Sequence, residues 1–123
     1  MNIRGIHHVS VIVADTARAL GFYRDLLGLR VDECRPDLGY PGAWLWIGDQ
    51  QLHLLELPNP DPVAGRPVHG GRDRHLALSV DDLDALAQRL DAAGIACTRS
   101  RSGRRALFVR DPDGNALELI EVP

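Results

Sequence analysis

The chain has 123 residues, is 45% hydrophobic and 25% charged, and carries a formal net charge of −3 at a pI near 5.9. That length holds one domain with a real core, and the mild acidity excludes a broad cationic surface for nucleic acid. No apolar run approaches the ~18 residues of a membrane helix, and MNIRGIHH has no apolar signal core behind its basic residue. The expectation is a soluble, cytoplasmic protein with no membrane or nucleic-acid partner.

In chain order, Ile6–Val13 is short, apolar and β-branched, so it predicts a strand. Asp15-Thr16 offers an N-cap. Ala17, Leu20, Tyr23 and Leu27 then recur at helical spacing, with Phe22 and Leu26 widening the stripe and Gly28 as C-cap. Arg30–Glu33 predicts a second strand, and Pro36–Gly42 a loop rich in proline and glycine. Ala43–Ile47 predicts a strand with Trp44 and Trp46 on one face. Gly48-Asp49-Gln50 turns the chain into a strand over Gln51–Leu57.

Pro58–Asp73 holds four prolines and three glycines without periodicity and reads as a linker. Arg74–Val80 predicts a strand, and Leu83, Leu86, Leu90 and Ala93 a helical stripe ended by Gly94. Ile95–Arg99 and Arg105–Arg110 predict strands around a turn at Ser100–Arg104. Asp111-Pro112-Asp113-Gly114-Asn115 is a strong turn signal, and Ala116–Val122 the last strand. Cys34 and Cys97 lack CxxC spacing, so free, largely buried thiols are expected. The arginines at 99, 101, 104 and 105 fit either a solvated hairpin or an anchor for an anionic substrate.

The second half repeats the first. HHVSVIV at His7–Val13 and RHLALSV at Arg74–Val80 each precede an aspartate and a helix that ends at glycine. Sixty-seven residues separate His8 from His75, and sixty-six separate Gly28 from Gly94. The expected fold class is α+β: two paired β-α-β-β-β modules forming a curled, partly open, barrel-like sheet of eight strands. Residues 1–123 form one domain, with module one at 1–57, the linker at 58–73 and module two at 74–123.

The same repeat relates four polar side chains set in apolar strands. His8 and His75 lie in the first strands of the modules, and His53 and Glu118 in the last. If the modules pair about a pseudo-twofold axis, the four can converge. Three imidazoles and one carboxylate suit a single divalent ion, Zn, Ni, Fe, Co or Mn. Any one such histidine is more often a satisfied strand residue than a ligand; four at repeat-related positions are harder to dismiss, because burying them together without a cation is costly. An ion with open positions could polarise a carbonyl and stabilise an enediolate. By strand alternation His7 should point away from His8, and Glu56 and Glu121 should face outward. A shifted reading makes Glu56 the ligand instead of His53. His69 is expected to be a solvated linker residue.

These residues resemble the vicinal oxygen chelate superfamily of glyoxalase I, bleomycin-resistance and extradiol-dioxygenase proteins. The resemblance spans the chain and rests on HHVSVIVADTARALGFYRDLLGL, the LHLLE strand, RHLALSVDDLDAL and DPDGNALELIE. It implies a divalent metal held at His8, His53, His75 and Glu118, a small-molecule substrate and a homodimer. In glyoxalase I the position of His53 is usually glutamate or glutamine, so His53 departs from that pattern. The expected activity is a metal-dependent lyase, isomerase or epimerase on a substrate with vicinal oxygens, with Glu118 as the base. The alternatives are an extradiol-type dioxygenase, a fosfomycin-type thiol transferase, and a metal-free binding protein of the bleomycin-resistance kind. Trp44, Trp46, Tyr40 and Phe108 are candidates for the pocket wall or for plain core packing.

Overall fold

The computed structural model describes residues 1–123 and divides into two compact units, Met1–Pro60 and Asp61–Pro123. The first contains β1 (His8–Val13), α1 (Thr16–Leu20), a π-helical turn (Gly21–Leu26), β2 (Arg30–Val31), β3 (Gly42–Ile47) and β4 (Gln50–Glu56). The second opens with a 3-10 turn (Gly70–Arg72), then β5 (His75–Val80), α2 (Leu83–Ala92), β6 (Cys97–Arg99), β7 (Ala106–Arg110) and β8 (Ala116–Glu121). The α+β class and the β-α-β-β-β order of each module match the sequence reading. The strands form two four-stranded mixed sheets, ordered β1-β4-β3-β2 and β5-β8-β7-β6.

In each sheet the first strand pairs in parallel with the last. Parallel neighbours need a crossover, and the helix supplies it. The register then repeats residue for residue. Ser10 lies opposite His53 and Ala77 opposite Glu118. On the other side, Trp44 lies opposite His53 and Phe108 opposite Glu118.

Strand alternation gives each sheet an apolar face toward its helix. Leu45, Leu52 and Leu54 in the first unit, and Leu107, Leu117 and Leu119 in the second, are at most 1% exposed. Each buried leucine contributes roughly 2 kcal/mol. Ala19, Phe22 and Tyr23 complete the first core, and Leu83 and Leu90 the second. The opposite faces carry Trp44, Gln51 and His53 in one unit, Phe108 and Glu118 in the other.

Several local expectations are corrected. The first helix is α-helical for only five residues and then widens into a π turn, closed by a bond from Leu27 N–H to the Phe22 carbonyl (2.9 Å). The winding buries Phe22 and Tyr23 and leaves Ala17 exposed; in α2, Ala93 is likewise exposed. Gly28 and Gly94 end the two helical segments at φ +79° and +72°, where a side chain would be strained. Strand β2 stops at Val31 because Asp32 Oδ1 accepts the Cys34 N–H (3.0 Å) and turns the chain.

The cysteines are free but exposed, not buried; Cys34 lies in that turn and Cys97 opens the edge strand β6. The Asp111–Gly114 turn forms as expected, with Gly114 N–H donating to the Asp111 carbonyl (3.1 Å). Much of the predicted linker packs with the second unit. Arg66 and Arg110 bind Asp73 at 3.0 and 2.8 Å. Gly70 sits where a Cβ would lie 3.3 Å from Phe108 Cβ.

Glu56 and Glu121 do not simply face outward. Asp15 and Asp82 cap the helices through Arg18 N–H and Ala85 N–H, each at 2.9 Å. Glu56 Oε1 accepts the Thr16 N–H (2.7 Å) and Glu121 Oε1 the Leu83 N–H (3.0 Å). Each module's last strand therefore clasps the start of its own helix. That duty occupies Glu56, the alternative ligand.

Candidate metal centre

The four repeat-related side chains fall into two pairs, one in each unit. No three His, Cys, Asp or Glu side chains assemble as a metal-holding group.

In the first unit the His53 ring lies between two others. His8 stacks on it at 4.2 Å between centroids and 19°, and Trp44 at 4.4 Å and 9°. Trp44 is thus a wall of this site. Burial pushes the His53 imidazole below its ordinary value; the charges of His8, His7 and Arg35 push the same way, against Asp32. A neutral imidazole is the form that binds metal.

Its tautomer follows from the neighbouring bonds. The Asp32 carboxylate, held in its charged form by the Cys34 N–H and the Gln51 amide, only accepts. So the Gln51 Nε2 group donates to Asp32 Oδ2 (2.8 Å), and Gln51 Oε1 faces His53 Nε2 (2.8 Å). His53 Nε2–H donates, and the lone pair is on Nδ1. Such outer hydrogen bonds commonly orient metal-binding histidines.

His7 is a correction. The strand begins only at His8, so alternation does not reach back to His7. The two rings meet edge-on with Nδ1 atoms 2.9 Å apart, and His7 is a direct neighbour of the candidate ligand.

In the second unit, His75 Nε2 lies 3.2 Å from Glu118 Oε1. His75 Nδ1 donates to the Asp73 carbonyl (2.9 Å), which leaves its Nε2 lone pair facing a carboxylate oxygen. Two lone pairs at that distance repel unless a proton or a metal cation stands between them. Glu118 is 3% exposed, and its Oε2 is buried with no hydrogen bond. A buried carboxylate oxygen without a donor is costly; the Arg104 guanidinium, 3.6 Å away, offsets part of that cost, and a metal cation would offset more. The chemistry of this pair, an imidazole nitrogen and a carboxylate oxygen, suits a divalent ion.

Phe108 is 6% exposed and packs edge-on to His75 at 5.1 Å and to His69 at 4.9 Å. His69 is not a solvated linker residue, since its Nδ1 bonds Thr98 Oγ1 at 2.7 Å. Tyr40 and Trp46 have different surroundings: Tyr40 carries the Arg35 guanidinium over its ring at 5.3 Å, and Trp46 shares the Trp44 face, opposite Gln51.

Sequence reasoning missed Gln51 and Asp32. Gln51 was accessible, being two residues before His53 and on the same face. Asp32 carried no signal, because it depends on where the β2 turn falls. Arg104 stood in the flagged cluster; it reaches Glu118 Oε2 at 3.6 Å.

Two β-α-β-β-β modules with histidine and carboxylate side chains at repeat-related positions mark a glyoxalase-type protein. The chain belongs to the Glyoxalase/Bleomycin resistance protein/Dioxygenase superfamily, whose family model matches residues 5–119. It is 32% identical to the uncharacterized protein YaeR of Escherichia coli K12, over 98% of both chains. It is 33% identical to the lactoylglutathione lyase of Haemophilus influenzae, over 94% of this chain and 91% of that one. A glyoxalase family protein from Bacillus anthracis superposes with a TM-score of 0.82 at 28% identity, over 100% of this chain and 98% of that one. No helix is long and apolar enough to cross a membrane.

Proposed function

We propose that this chain is a divalent-metal-dependent lyase, isomerase or epimerase acting on a small substrate with vicinal oxygens. The observation that carries the reading is the His75–Glu118 pair. Its histidine N–H is committed to the Asp73 carbonyl, and one of its carboxylate oxygens is buried with no donor. His8, His53, His75 and Glu118 would hold the ion. When bound, the metal would supply Lewis acidity toward a substrate oxygen, making the adjacent C–H more acidic.

The protein's own residues do the rest. Gln51 and the Asp73 carbonyl fix the tautomers of His53 and His75. Trp44 stacks on His53 and Phe108 packs edge-on to His75, and the buried donors are His53 and Glu118, where electrostatic interactions are strengthened. Glu118 moves the proton through Oε2, the oxygen that accepts no hydrogen bond and lies 3.6 Å from Arg104. A cytoplasmic homodimer belongs to the same proposal, supported by the family resemblance.

The donor types also support a second reading. Two histidines and one carboxylate suit Fe(II) oxygen chemistry, with His8, His75 and Glu118 in those roles. Oxygen uptake with a catechol separates the two.

The test is elemental analysis of untagged protein beside the His53→Ala variant, before and after reloading with Zn, Ni, Mn or Fe(II). About one ion per chain, weakened in the variant, supports the four-donor site. Wild-type protein that stays metal-free after reloading overturns it and favours a metal-free binding protein. Turnover is then assayed with the hemithioacetal of methylglyoxal and a thiol. Glu118→Gln should keep part of the metal and lose proton transfer; unchanged turnover would remove Glu118 from the mechanism.

A further inference from the structure

Four arginines cluster around the β6–β7 hairpin, but they do not share one role. Arg105 is tied down, with its Nε on Glu121 Oε2 and its Nη2 on Asp84 Oδ1. Those bonds serve the helix clasp. Arg104 is different. It follows Gly103, which turns the hairpin at φ +85°. Its backbone N–H and its Nε both donate to Ser102 Oγ, at 3.3 and 3.1 Å. Ser102 is itself bonded to Ser100 at 2.8 Å. The guanidinium is therefore aimed by the hairpin while 60% of the side chain stays exposed.

It is aimed at the candidate metal ligand. Arg104 Nη2 lies 3.6 Å from Glu118 Oε2, beyond hydrogen-bond length but within ion-pair range. Glu118 Oε2 has no hydrogen bond of its own. An arginine presents a rigid fork of donors suited to a planar oxyanion, and here only Nε is spent on the hairpin. Arg104 also lines an open concavity with Arg105, Ile120, Val122 and the carboxylates Asp81 and Glu121, the second of which is held by Arg105, and this leaves room beside Arg104 for a small molecule. If Glu118 gives its charge to a metal ion, Arg104 loses its counter-charge and faces solvent with its fork free.

We propose that Arg104 is a specificity residue that selects an anionic substrate, one bearing a carboxylate beside its vicinal oxygens. This deepens the function proposed above and rests on it. In the metal-free chain Arg104 neutralises Glu118; in the loaded chain it turns to the substrate carboxylate. Two opposite effects of one substitution follow. Removing Arg104 takes a positive charge away from the ion, so metal affinity rises. It also removes the carboxylate fork, so anion affinity falls. A residue that only stabilises the hairpin would not separate the two.

The experiment uses the full chain, wild type, Arg104→Ala and Arg104→Lys, each titrated calorimetrically with Zn(II) and then with two three-carbon probes. Pyruvate carries a carboxylate next to a carbonyl; hydroxyacetone has the same skeleton without charge. Arg104→Ala should bind Zn(II) about 3- to 10-fold more tightly and pyruvate at least about 10-fold more weakly. Hydroxyacetone binding should not change, and Arg104→Lys should fall between. Equal pyruvate affinity in wild type and Arg104→Ala overturns the proposal, as does a parallel loss of both probes. If wild-type protein binds no Zn(II), the metal-dependent function fails, and the probes are titrated into the metal-free chains. Pyruvate binding that Arg104→Ala abolishes then still supports the anion subsite; no pyruvate binding to wild type overturns it.

Discussion

The two modules share a backbone and differ in what they do with it. Each pairs its first strand with its last, caps its helix with aspartate and clasps that helix with glutamate. On this common frame, module one builds a stack of rings, His8 on His53 on Trp44, backed by an amide and a carboxylate. Module two sets an imidazole against a carboxylate, His75 and Glu118, with an arginine in reach. Register and capping are copied because folding depends on them. The candidate donors sit on the opposite face, where one residue can change without moving the sheet.

Sharp tests of that comparison begin with the shared frame. Leu54→Ala and Leu119→Ala occupy equivalent places, both 1% exposed, and should each cost about 3 kcal/mol in urea unfolding. A large difference between them would mean that the two cores are not equivalent. Next come the donors. His75→Ala or His8→Ala should weaken Zn(II) binding on the order of 100-fold or more without unfolding the chain, going beyond the loss typical of outer partners. Module-specific positioning follows. Gln51→Leu frees the His53 tautomer and should weaken Zn(II) binding about 10-fold, whereas module two has alanine, Ala116, at the equivalent place and no such lever. His7→Ala should show a smaller loss than His8→Ala; the reverse order would exchange their roles.

Helix caps are smaller still: Asp15→Ala and Asp82→Ala should each cost about 1 kcal/mol, read by thermal unfolding. The mildest effect is on pH, and it has a different window in each module. His53 is held below its ordinary value, so the unfolded chain takes up its proton first, near pH 6.5 for an ordinary imidazole. Module one therefore loses stability as pH falls through that value. Both tryptophans lie in module one, so urea unfolding at pH 7 and pH 5.5 is followed there by tryptophan fluorescence. Glu121 is held below the usual carboxylate range, first by Arg105 and then by the Leu83 N–H. Its contribution is present above that range and is lost as pH falls through the lower folded value, in module two.

Much of this was legible in the sequence, because a repeat states each element twice. The order of elements along the chain, the helix caps and the Asp111–Gly114 turn followed from period, capping residues and turn chemistry. The four candidate donors could be named because each broke an apolar strand at matched positions. What escaped depended on details that alternation cannot carry across an element's end. His7 lies just outside β1, so its face could not be inferred from the strand. Glu56 and Glu121 do face away from His53 and Glu118, but that direction leads to the helix start and not to solvent. The π winding at Gly21–Leu26 preserves the apolar stripe while changing the residues it buries, so spacing alone could not detect it. Asp32 joins His53 only through Gln51, a tertiary relation with no linear trace.

The glutamate clasps bear on how such chains can be recombined. Each ties the end of a half to its own beginning, so a cut between the halves leaves both ends of both clasps in place. A half of this kind keeps its own helix start and its own sheet end together when it is duplicated or exchanged. One duplicated segment could in this way furnish a wide range of donor combinations, with new chemistry arising from the pairing of halves rather than from rebuilding either one.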